Sequence, residues 1–311
     1  MDIDVIALGE GMVEFTARRN GLLKDARLFE LGWGGDTSNT VVAVGRLGKK
    51  AGYISRVGDD EFGRSLLEMW RKEGVDTSHV AVEKGGITGI YFVSRLSGGR
   101  HDFTYYRRDS AASHLSVDDL EPEYLRSARI FHVSGISQAI SASCREAVLK
   151  AIRIVKDSGG IVSYDPNIRT KLLPIEATRE MIYDTLKMVD IALPSLEDAA
   201  LLTGLQSPEE DAQDLLKLGP KLVVLKLGFE GCLVIEAGKV VRIPPYSIKV
   251  LDTTGAGDAF NAGFITGFLE WQDPIKAARF ANAVAALKVS QIGAVRNLPY
   301  RSKVMELLND A

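Results

Sequence analysis

The most informative segment of this 311-residue sequence reads Asp252-Thr253-Thr254-Gly255-Ala256-Gly257-Asp258-Ala259-Phe260. A β-rich segment, 246–251, precedes it, and a helix is predicted after it because Phe260, Phe264 and Phe268 recur at four-residue spacing. Glycines at a strand-to-helix turn let other groups approach the backbone closely, and the amino end of the helix adds partial positive charge. The segment therefore predicts a cradle for an anion such as phosphate. We call residues 255–257 the glycine turn.

Two familiar phosphate-binding motifs do not describe this turn. A Walker A loop would place Lys and then Ser or Thr after its last glycine, whereas Gly257 is followed by Asp258. A dinucleotide fingerprint would have a third glycine where this sequence has Phe260. Asp258 suits a group that accepts a proton from an attacking hydroxyl; the alternative is that it only caps the helix. Because a helix amino terminus lowers a carboxyl pKa, we expect a weak base that takes the proton late.

Composition narrows the class of protein. Hydrophobic residues make up 46% and charged residues 25%, as in ordinary globular domains, and 41 acidic against 38 basic side chains give a net charge of −3. This balance argues against a nucleic-acid binder, and the sequence has no apolar run long enough to span a membrane. Two cysteines cannot form a disulfide framework, and the acidic start of the chain is unlike a secretory signal. A cytoplasmic enzyme is the expectation.

Short apolar strands alternate with amphipathic helices along most of the chain. This alternation predicts an α/β protein in which helices cover both faces of a mostly parallel central sheet. Two stretches, roughly 11–33 and 88–108, break the alternation, and we predict that they form a small antiparallel β lid. Ser97-Gly98-Gly99 is the expected turn of a hairpin within the lid. No linker divides the sequence, so residues 1–311 are predicted to form a single domain.

A second segment, Gly34-Gly35-Asp36-Thr37-Ser38-Asn39, lies more than 190 residues before the glycine turn. Together the two segments resemble the paired signatures of the ribokinase (PfkB-type) carbohydrate kinases. The resemblance implies a ribokinase-like three-layer fold with a β lid, and transfer of phosphate from ATP to a sugar hydroxyl with Mg²⁺ as cofactor. It implies that Asp258 is the catalytic base and that the amides of Gly255, Ala256 and Gly257 form an anion hole. Gly34, Gly35 and Asn39 would contact the sugar, although the two glycines could also be simple turn residues.

The nucleotide side of the site is implied by weaker matches. The resemblance assigns Lys226, Gly228 and Gly231 to ATP binding, together with Gly255 and Gly257 of the glycine turn. Asn282 matches a position near adenine, although a helical Asn is equally expected without any ligand. The family's Asn-x-x-Glu magnesium motif is replaced here by Ser195-Leu196-Glu197-Asp198, which makes Asp198 the metal candidate and Glu197 its alternative. The resemblance also leaves open a monovalent-cation site near Asp252 and Gly293.

Two basic segments bear on the identity of the sugar. One is Tyr105-Tyr106-Arg107-Arg108 at the end of the lid, and the other is Asp165-Pro166-Asn167-Ile168-Arg169 after a predicted strand. Alternation along a strand would point Tyr106 and Arg108 to one face and Arg107 to the other. A guanidinium group suits a carboxylate better than a neutral sugar. Arg169 could instead reach the ATP phosphates, and the lid arginines could be solvated edge charges.

These basic segments resemble the 2-keto-3-deoxygluconate kinase branch of the family. That resemblance assigns sugar contacts to Gly34, Tyr91, Tyr106, Arg108 and Arg169. Fructokinase, ribokinase, nucleoside kinase and 5-dehydro-2-deoxygluconokinase stay open as alternatives, as does a non-catalytic sugar- or nucleotide-binding sensor on the same fold. A homodimer is expected, because exposed lid strands tend to pair.

Overall fold

The computed structural model describes residues 3–96, 101–204 and 207–309. The predicted turn at Ser97-Gly98-Gly99 lies outside these residues. Within the described ranges, no helix combines the length and the apolar character needed to cross a membrane. Cys144 and Cys232 are both buried and free.

The larger of the two sheets has the strand order β14-β13-β12-β11-β10-β9-β1-β4-β5, with β6 paired to β4. Pairing is parallel from β12 through β5, and the edge strands β13 and β14 run antiparallel. Its strands are Ile3–Leu8 (β1), Ala51–Gly58 (β4), Val75–Asp76 (β5), Val80–Glu83 (β6), Ala128–Ser134 (β9), Ile161–Asp165 (β10), Ile191–Ala192 (β11), Leu222–Lys226 (β12), Cys232–Glu236 (β13) and Lys239–Ile243 (β14). The mostly parallel sheet predicted from the alternation is confirmed.

Helices cover both faces of this sheet. They are Thr37–Arg46 (α1), Glu61–Lys72 (α2), Pro122–Arg126 (α3), Gly135–Ala139 (α4), Ala142–Asp157 (α5), Ile175–Leu186 (α6), Leu196–Thr203 (α7), Pro208–Lys217 (α8), Ala256–Trp271 (α9), Pro274–Val289 (α10) and Arg301–Asn309 (α11). Strand β1 shows why two helical layers form: Ile6 and Leu8 pack into the core under α5, whereas Val5 and Ala7 pack into the core under α1 and α9. Every residue of a strand buried on both faces needs an apolar partner. The predicted three-layer arrangement is confirmed.

The smaller sheet, the lid sheet, contains Gly11–Asn20 (β2), Phe29–Gly35 (β3), Ile90–Arg95 (β7) and His101–Tyr106 (β8) in the order β3-β2-β7-β8. The β2–β3 and β7–β8 pairs are antiparallel, as predicted. Strands β2 and β7 are parallel, with Val13 beside Ile90 and Phe15 beside Phe92, so the prediction of an antiparallel sheet throughout is wrong at this junction. Strand β2 follows β1 and β7 follows β6, and β1 and β6 both run parallel to β4 in the main sheet, which favours the parallel pairing of β2 with β7.

The predicted β segment 246–251 is not a strand. Pro244 and Pro245 follow the end of β14 and remove the amide donors that a continued ladder would need. The amides of Leu251 and Asp252 instead donate to the carbonyl of Val289 at 2.8 and 3.1 Å. The end of α10 therefore holds the approach to the glycine turn.

Candidate active site

The carboxyl ends of several parallel strands meet the amino end of α9. Strand β10 ends at Asp165 and β12 ends at Lys226, and α9 begins at Ala256. Open α/β sheets bind ligands at this edge, because the strand ends and helix termini place polar groups there. Tyr91 and Tyr105 of lid strands β7 and β8 face the same edge: burial raises the pKa of both hydroxyls, and the Asp258 carboxylate adds to the rise.

Asp258 lies in the first turn of α9 and is buried. Asn39 Nδ2, on α1, donates to its Oδ2 at 2.7 Å, which joins the two signature segments in one site. Burial raises the pKa of Asp258 to about 7, with smaller upward effects from the Asp36 and Asp165 carboxylates, and the Asn39 hydrogen bond opposes them. The expected lowering of this pKa by the helix amino terminus is therefore wrong, because desolvation of the buried carboxylate outweighs the helix dipole.

The glycine turn has the geometry of an anion cradle. Gly255 adopts φ 74°, in the left-handed region that favours glycine. Helix α9 starts at Ala256 with no side-chain cap on its amino end. The first amides of an uncapped helix need acceptors from outside the helix, and phosphate oxygens supply them. The Ala256 amide already donates to the Thr253 carbonyl at 3.1 Å, so among the predicted anion-hole residues it is the amides of Gly255 and Gly257 that fit the phosphate of a bound nucleotide.

Lys226 places a positive charge beside this cradle. Its Nζ lies 3.6 Å from the position that a Cβ would take on Gly257, and it contacts Asp165 Oδ2 at 2.7 Å and Asn261 Oδ1 at 3.2 Å. Asn261 Nδ2 donates to the same Asp165 oxygen at 2.7 Å. The carboxylate and the amide therefore hold the ammonium group at the first turn of α9, where it can meet a phosphate oxygen.

The Gly34-Gly35 segment ends strand β3 against Tyr91 and the start of β2. A Cβ on Gly34 would overlap the Tyr91 hydroxyl, and a Cβ on Gly35, which has φ 123°, would overlap the Glu10 carbonyl. The Tyr91 hydroxyl donates to Glu14 Oε2, and both side chains are buried. The two glycines are thus required by close packing whether or not they also contact a sugar.

The register of the lid sheet places Tyr105, and not the predicted Tyr106, on the face of Tyr91. Tyr91 is the cross-strand partner of Tyr105, and the two rings stack with centroids 5.7 Å apart. Tyr106 belongs to the opposite face, where it is 62% exposed and meets Phe92 edge-on at 5.8 Å. The prediction that Tyr106 shares the face of Tyr91 is wrong, because cross-strand partners share a face and successive residues alternate.

The lid arginines follow the same parity. Arg107 returns to the face of Tyr105, with its guanidinium 5.9 Å from the Tyr105 ring centroid and in an ion pair with the buried Glu10 carboxylate. Arg108 lies beyond the end of β8 and is exposed. The prediction that Arg107 faces away from the site is therefore wrong, whereas the sugar contact of Arg108 stays a prediction.

Arg169 follows β10 and approaches the same tyrosine from the main sheet. Burial raises the pKa of Tyr105, and the charges of Arg169 and Arg107 act against that rise because both lie close to its hydroxyl. Among the residues that the structure describes, no carboxylate lies within ion-pair distance of Arg169. Arg169 donates to the carbonyl of Ile168 at 2.8 Å, and its side chain is exposed.

The metal candidate Asp198 has another role in the fold. Its Oδ2 accepts the Ser195 amide at 3.1 Å in a reciprocal capping box, and its Oδ1 accepts the Ile168 amide at 2.8 Å. The alternative, Glu197, is exposed at the start of α7. Across the described part of the chain, no three His, Cys, Asp or Glu side chains converge as metal ligands. The residues present do not fit a protein-built magnesium cage.

Three other residues that were predicted to bind ATP also stabilise the fold. Gly231, at φ 88°, lies so close to Ile243 that a Cβ would overlap its carbonyl oxygen, and Gly228 adopts φ 60° in the same turn. Asn282 is buried and donates to the carbonyl of Pro244 at 2.9 Å, which holds the chain after β14. Their contacts to ATP stay predictions.

The monovalent-cation candidates surround a lysine. Asp252 Oδ2 accepts the amide of Gly293 at 2.7 Å, and Oδ1 accepts the amide of Thr254 at 2.9 Å. The Nζ of Lys288 donates to the Asp252 carbonyl at 3.2 Å. The residues predicted for an alkali ion thus face an ammonium group.

The sequence motifs do not identify several residues of the site. They are Glu10, Glu14, Tyr105, Asn261 and Lys288. Tyr105 could have been found from strand parity if the pairing with Tyr91 had been known. Glu10 lies in the link between β1 and β2, and Glu14, Asn261 and Lys288 lie in β2, α9 and α10. None of the four belongs to a local motif, so nothing short-range signals their role.

Comparisons with known proteins agree with this geometry. The profile of the pfkB family carbohydrate kinases matches residues 2–301. A 2-dehydro-3-deoxygluconokinase of Thermoproteus tenax is 38% identical over 310 residues, covering 98% of this chain and 94% of that protein. Fructokinase-1 of Zea mays is 34% identical over 319 residues, covering 99% and 98%. An E. coli structure assigned to ribokinase II, in complex with ATP and Mg²⁺, has a TM-score of 0.92 at 30% identity and covers 99% of this chain and 100% of that one.

Proposed function

The chain belongs to the pfkB family of carbohydrate kinases, and we propose that it uses ATP to phosphorylate the terminal hydroxyl of a small acid sugar, 2-keto-3-deoxygluconate. The observation that carries the choice of an acid sugar is the guanidinium of Arg169, which lies close to Tyr105 without an ion-pair partner among the described residues. A sugar carboxylate would supply the missing anion. Arg107 is already neutralised by Glu10, so it would shape the pocket rather than provide the free charge.

Asp258 performs the proton transfer in the proposed mechanism. Its Oδ2 is held by Asn39, which leaves Oδ1 to accept the proton of the sugar hydroxyl. As the hydroxyl oxygen bonds to the γ-phosphorus, the bond from that phosphorus to the β-phosphate oxygen breaks, and ADP leaves with the electron pair. A pKa of about 7 lets Asp258 accept this proton near neutral pH.

The glycine turn and Lys226 stabilise charge during the transfer. The uncapped amides at the start of α9 offer hydrogen bonds to the phosphate oxygens, and the ammonium of Lys226 lies beside them. Donors that are fixed before the reaction lower the transition-state energy without a cost of reorganisation. Mg²⁺ bound with ATP would neutralise the β- and γ-phosphates, and a nucleotide-borne ion that keeps water ligands needs no protein cage.

Fructose is the second candidate acceptor, because a fructokinase matches this chain over nearly its whole length. A coupled assay of ADP release should therefore compare 2-keto-3-deoxygluconate with fructose, ribose, a nucleoside and 5-dehydro-2-deoxygluconate. We expect the highest kcat/KM with 2-keto-3-deoxygluconate. Activity confined to neutral sugars would contradict the acid-sugar assignment, and binding of sugar without ADP release would indicate a sensor.

A matched variant sharpens this test. Arg169→Met should raise KM for the acid sugar about tenfold or more, the loss expected for one charge-assisted hydrogen bond, and should barely change KM for fructose. Arg153→Met replaces another exposed arginine, on helix α5, and is the control. It should change KM for neither sugar. Equal effects of Arg169→Met on both sugars would show that Arg169 serves the ATP phosphates instead.

The proposal includes a homodimer formed through the outer face of the lid sheet. On this face Phe92 stacks on Phe15 at 5.2 Å, and Tyr106 and Leu31 are 62% and 41% exposed. Phe15 and Phe92 are half-buried and Tyr106 and Leu31 are exposed, so this face offers apolar area to a second copy. Light scattering after size exclusion should give twice the chain mass for the wild type and a monomer for Leu31→Asp, and a monomeric wild type would contradict the dimer.

A further inference from the structure

Lys288, in the last turn of α10, is fully buried. An ammonium group removed from water is costly unless nearby groups compensate its charge. Burial lowers the pKa of Lys288, and the carboxylates of Asp252, Glu14 and Asp258 oppose that effect. Any structural role of Lys288 must account for a buried positive charge that three carboxylates compensate.

The closest partner of Lys288 is Asp252. Nζ donates to the Asp252 carbonyl at 3.2 Å and lies 4.0 Å from Oδ2 of the same residue. His101 Nδ1 lies 3.8 Å from Asp252 Oδ1 on the other side. Asp252 thus presents a main-chain oxygen and a carboxylate to one buried cation.

Asp252 in turn fixes the loop that leads to the glycine turn. Its carboxylate accepts the amides of Thr254 and Gly293, and its own amide is tied to Val289 at the end of α10. Gly255 follows three residues later and begins α9. A shift of Asp252 would therefore move the anion cradle and Asp258 relative to the sugar.

The charge of Lys288 also acts on Glu14 of the lid sheet. Burial raises the pKa of Glu14, with a smaller upward effect from Asp252, whereas the hydroxyl of Tyr91, which donates to Glu14, and the ammonium of Lys288 act to lower it. Loss of the Lys288 ammonium would remove its opposing effect and leave the two buried carboxylates of Glu14 and Asp252 in mutual repulsion. The ammonium of Lys288 therefore offsets the charges of both Glu14, in the lid sheet, and Asp252, in the loop before the glycine turn.

We propose that the ammonium of Lys288 is a built-in monovalent cation: it occupies the position beside Asp252 where an alkali ion would otherwise bind, and it positions the glycine turn without one. Lys288 is a positioning residue in this inference, since it contacts Asp252, which holds the loop before the glycine turn. The inference rests on the proposed kinase function only for its effect on turnover.

The experiment compares the melting temperature of the full-length protein in KCl, NH₄Cl and tetramethylammonium chloride at equal ionic strength, without ATP or sugar. The wild type should melt at the same temperature in all three salts. Lys288→Ala leaves room for a small cation, so it should melt several degrees lower in tetramethylammonium chloride and recover in KCl or NH₄Cl. Lys288→Met fills the same room without a charge and should be destabilised in every salt. Lys276→Met, an exposed lysine of the same helix, is the matched control.

Turnover should follow the same order. In tetramethylammonium chloride, kcat of Lys288→Ala should fall by about 10²-fold, the scale expected when a catalytic constellation is misplaced, and K⁺ or NH₄⁺ should restore much of it. A wild type that gains melting temperature or turnover from K⁺ would overturn the proposal, as would a folded Lys288→Ala variant that ignores both ions. If the chain phosphorylated no sugar, turnover would be absent in every salt, and the melting temperatures would still test whether Lys288 replaces an alkali ion.

A diffraction measurement covers the case in which Lys288→Ala does not fold. Crystals of the wild type soaked in RbCl should show no anomalous peak within coordination distance of Asp252. Such a peak would mean that an alkali ion has its own site there, and Lys288 would then not replace it.

Discussion

Asn39 Nδ2 and Asp258 Oδ2 lie 2.7 Å apart, although the two residues are 219 positions apart in the sequence. The hydrogen bond connects the first turn of α1 with the first turn of α9, so the sugar-side and phosphate-side segments form one site. A donor to the ionised carboxylate lowers its pKa, which works against the larger effect of burial. Asn39 is thereby placed to adjust the pKa of the proposed catalytic base, in addition to its predicted contact with sugar.

The first prediction concerns pH. Only the ionised form of Asp258 can accept a proton, so kcat/KM of the wild type should rise as pH increases through about 7 and then level off. Asn39→Ala removes the hydrogen bond that favours the ionised form, and its midpoint should move to higher pH. Steady-state kinetics from pH 5 to 9 would measure both midpoints. Asn309→Ala, at the exposed end of α11, is the control and should keep the wild-type profile. An unshifted midpoint in Asn39→Ala would separate Asn39 from the base.

The second prediction concerns catalysis by Asp258. Asp258→Asn keeps the size of the side chain but cannot accept the hydroxyl proton, so kcat should fall by about 10²-fold or more. Sugar affinity measured by calorimetry should change little, because the variant retains the surrounding contacts. Wild-type turnover in this variant would remove Asp258 from the mechanism.

The third prediction is that the same substitution stabilises the fold at high pH. The pKa of Asp258 is raised from 3.8 to about 7, so the folded state binds this proton more tightly than the unfolded state does. The resulting stabilisation is fully present below pH 3.8 and is lost as pH rises through about 7. Above that pH the buried charge costs on the order of 4 kcal/mol, at about 1.4 kcal/mol per unit of pKa.

Asp258→Asn removes this cost because its side chain does not ionise. The melting temperature of the variant should therefore exceed that of the wild type at pH 8, and the difference should shrink toward pH 4. Scanning calorimetry at the two pH values measures it. A variant that melts below the wild type at pH 8 would show that the carboxylate is better compensated than its burial indicates.

The fourth prediction concerns Gly34. A Cβ at this position would overlap the Tyr91 hydroxyl, so Gly34→Ala should displace Tyr91 from Glu14. Sugar KM should rise and the melting temperature should fall, since the substituted residue lies in a buried contact. Gly32→Ala on the same strand is the control, because its nearest neighbour, Glu14 Oε1, lies at an ordinary 3.4 Å. Equal effects of the two substitutions would show that general strand distortion is responsible.

Parts of the site that depend on unusual backbone were predictable from the sequence. Gly255 adopts a left-handed conformation and Gly35 lies too close to Glu10 for a side chain, so both positions need the residue type that the motifs show. The alternation of strands and helices likewise predicted the layers, because strands buried on both faces must be apolar. Such constraints act over a few residues and can be read locally.

Other parts depend on long-range geometry. The local sequence does not predict the raised pKa of Asp258, because the helix dipole is local, whereas burial arises from segments far away in the sequence. Lys288 lies on a helix whose sequence does not distinguish it from a solvated lysine, and only the packing of α10 against the loop at Asp252 buries it. The face of each lid residue depends on strand register, and a shift of one residue exchanges the two faces.

The fifth prediction tests which face of the lid sheet, set by the strand register, meets the sugar. Tyr105 shares the face of Tyr91 and lies close to Arg169 and Asp258, whereas Tyr106 lies on the outer face against Phe92. Tyr105→Phe removes only a hydroxyl, so sugar KM should rise several-fold while KM for ATP is retained. The expected loss corresponds to one hydrogen bond, about 1 kcal/mol.

Tyr106→Phe is the matched control for Tyr105→Phe, since it makes the same chemical change one residue further along β8. Its sugar KM should equal that of the wild type, because its hydroxyl points away from Asp258. The opposite result, a raised KM for Tyr106→Phe and none for Tyr105→Phe, would mean that β8 shifts by one residue when sugar binds. The two measurements together therefore decide which tyrosine the lid presents to the substrate.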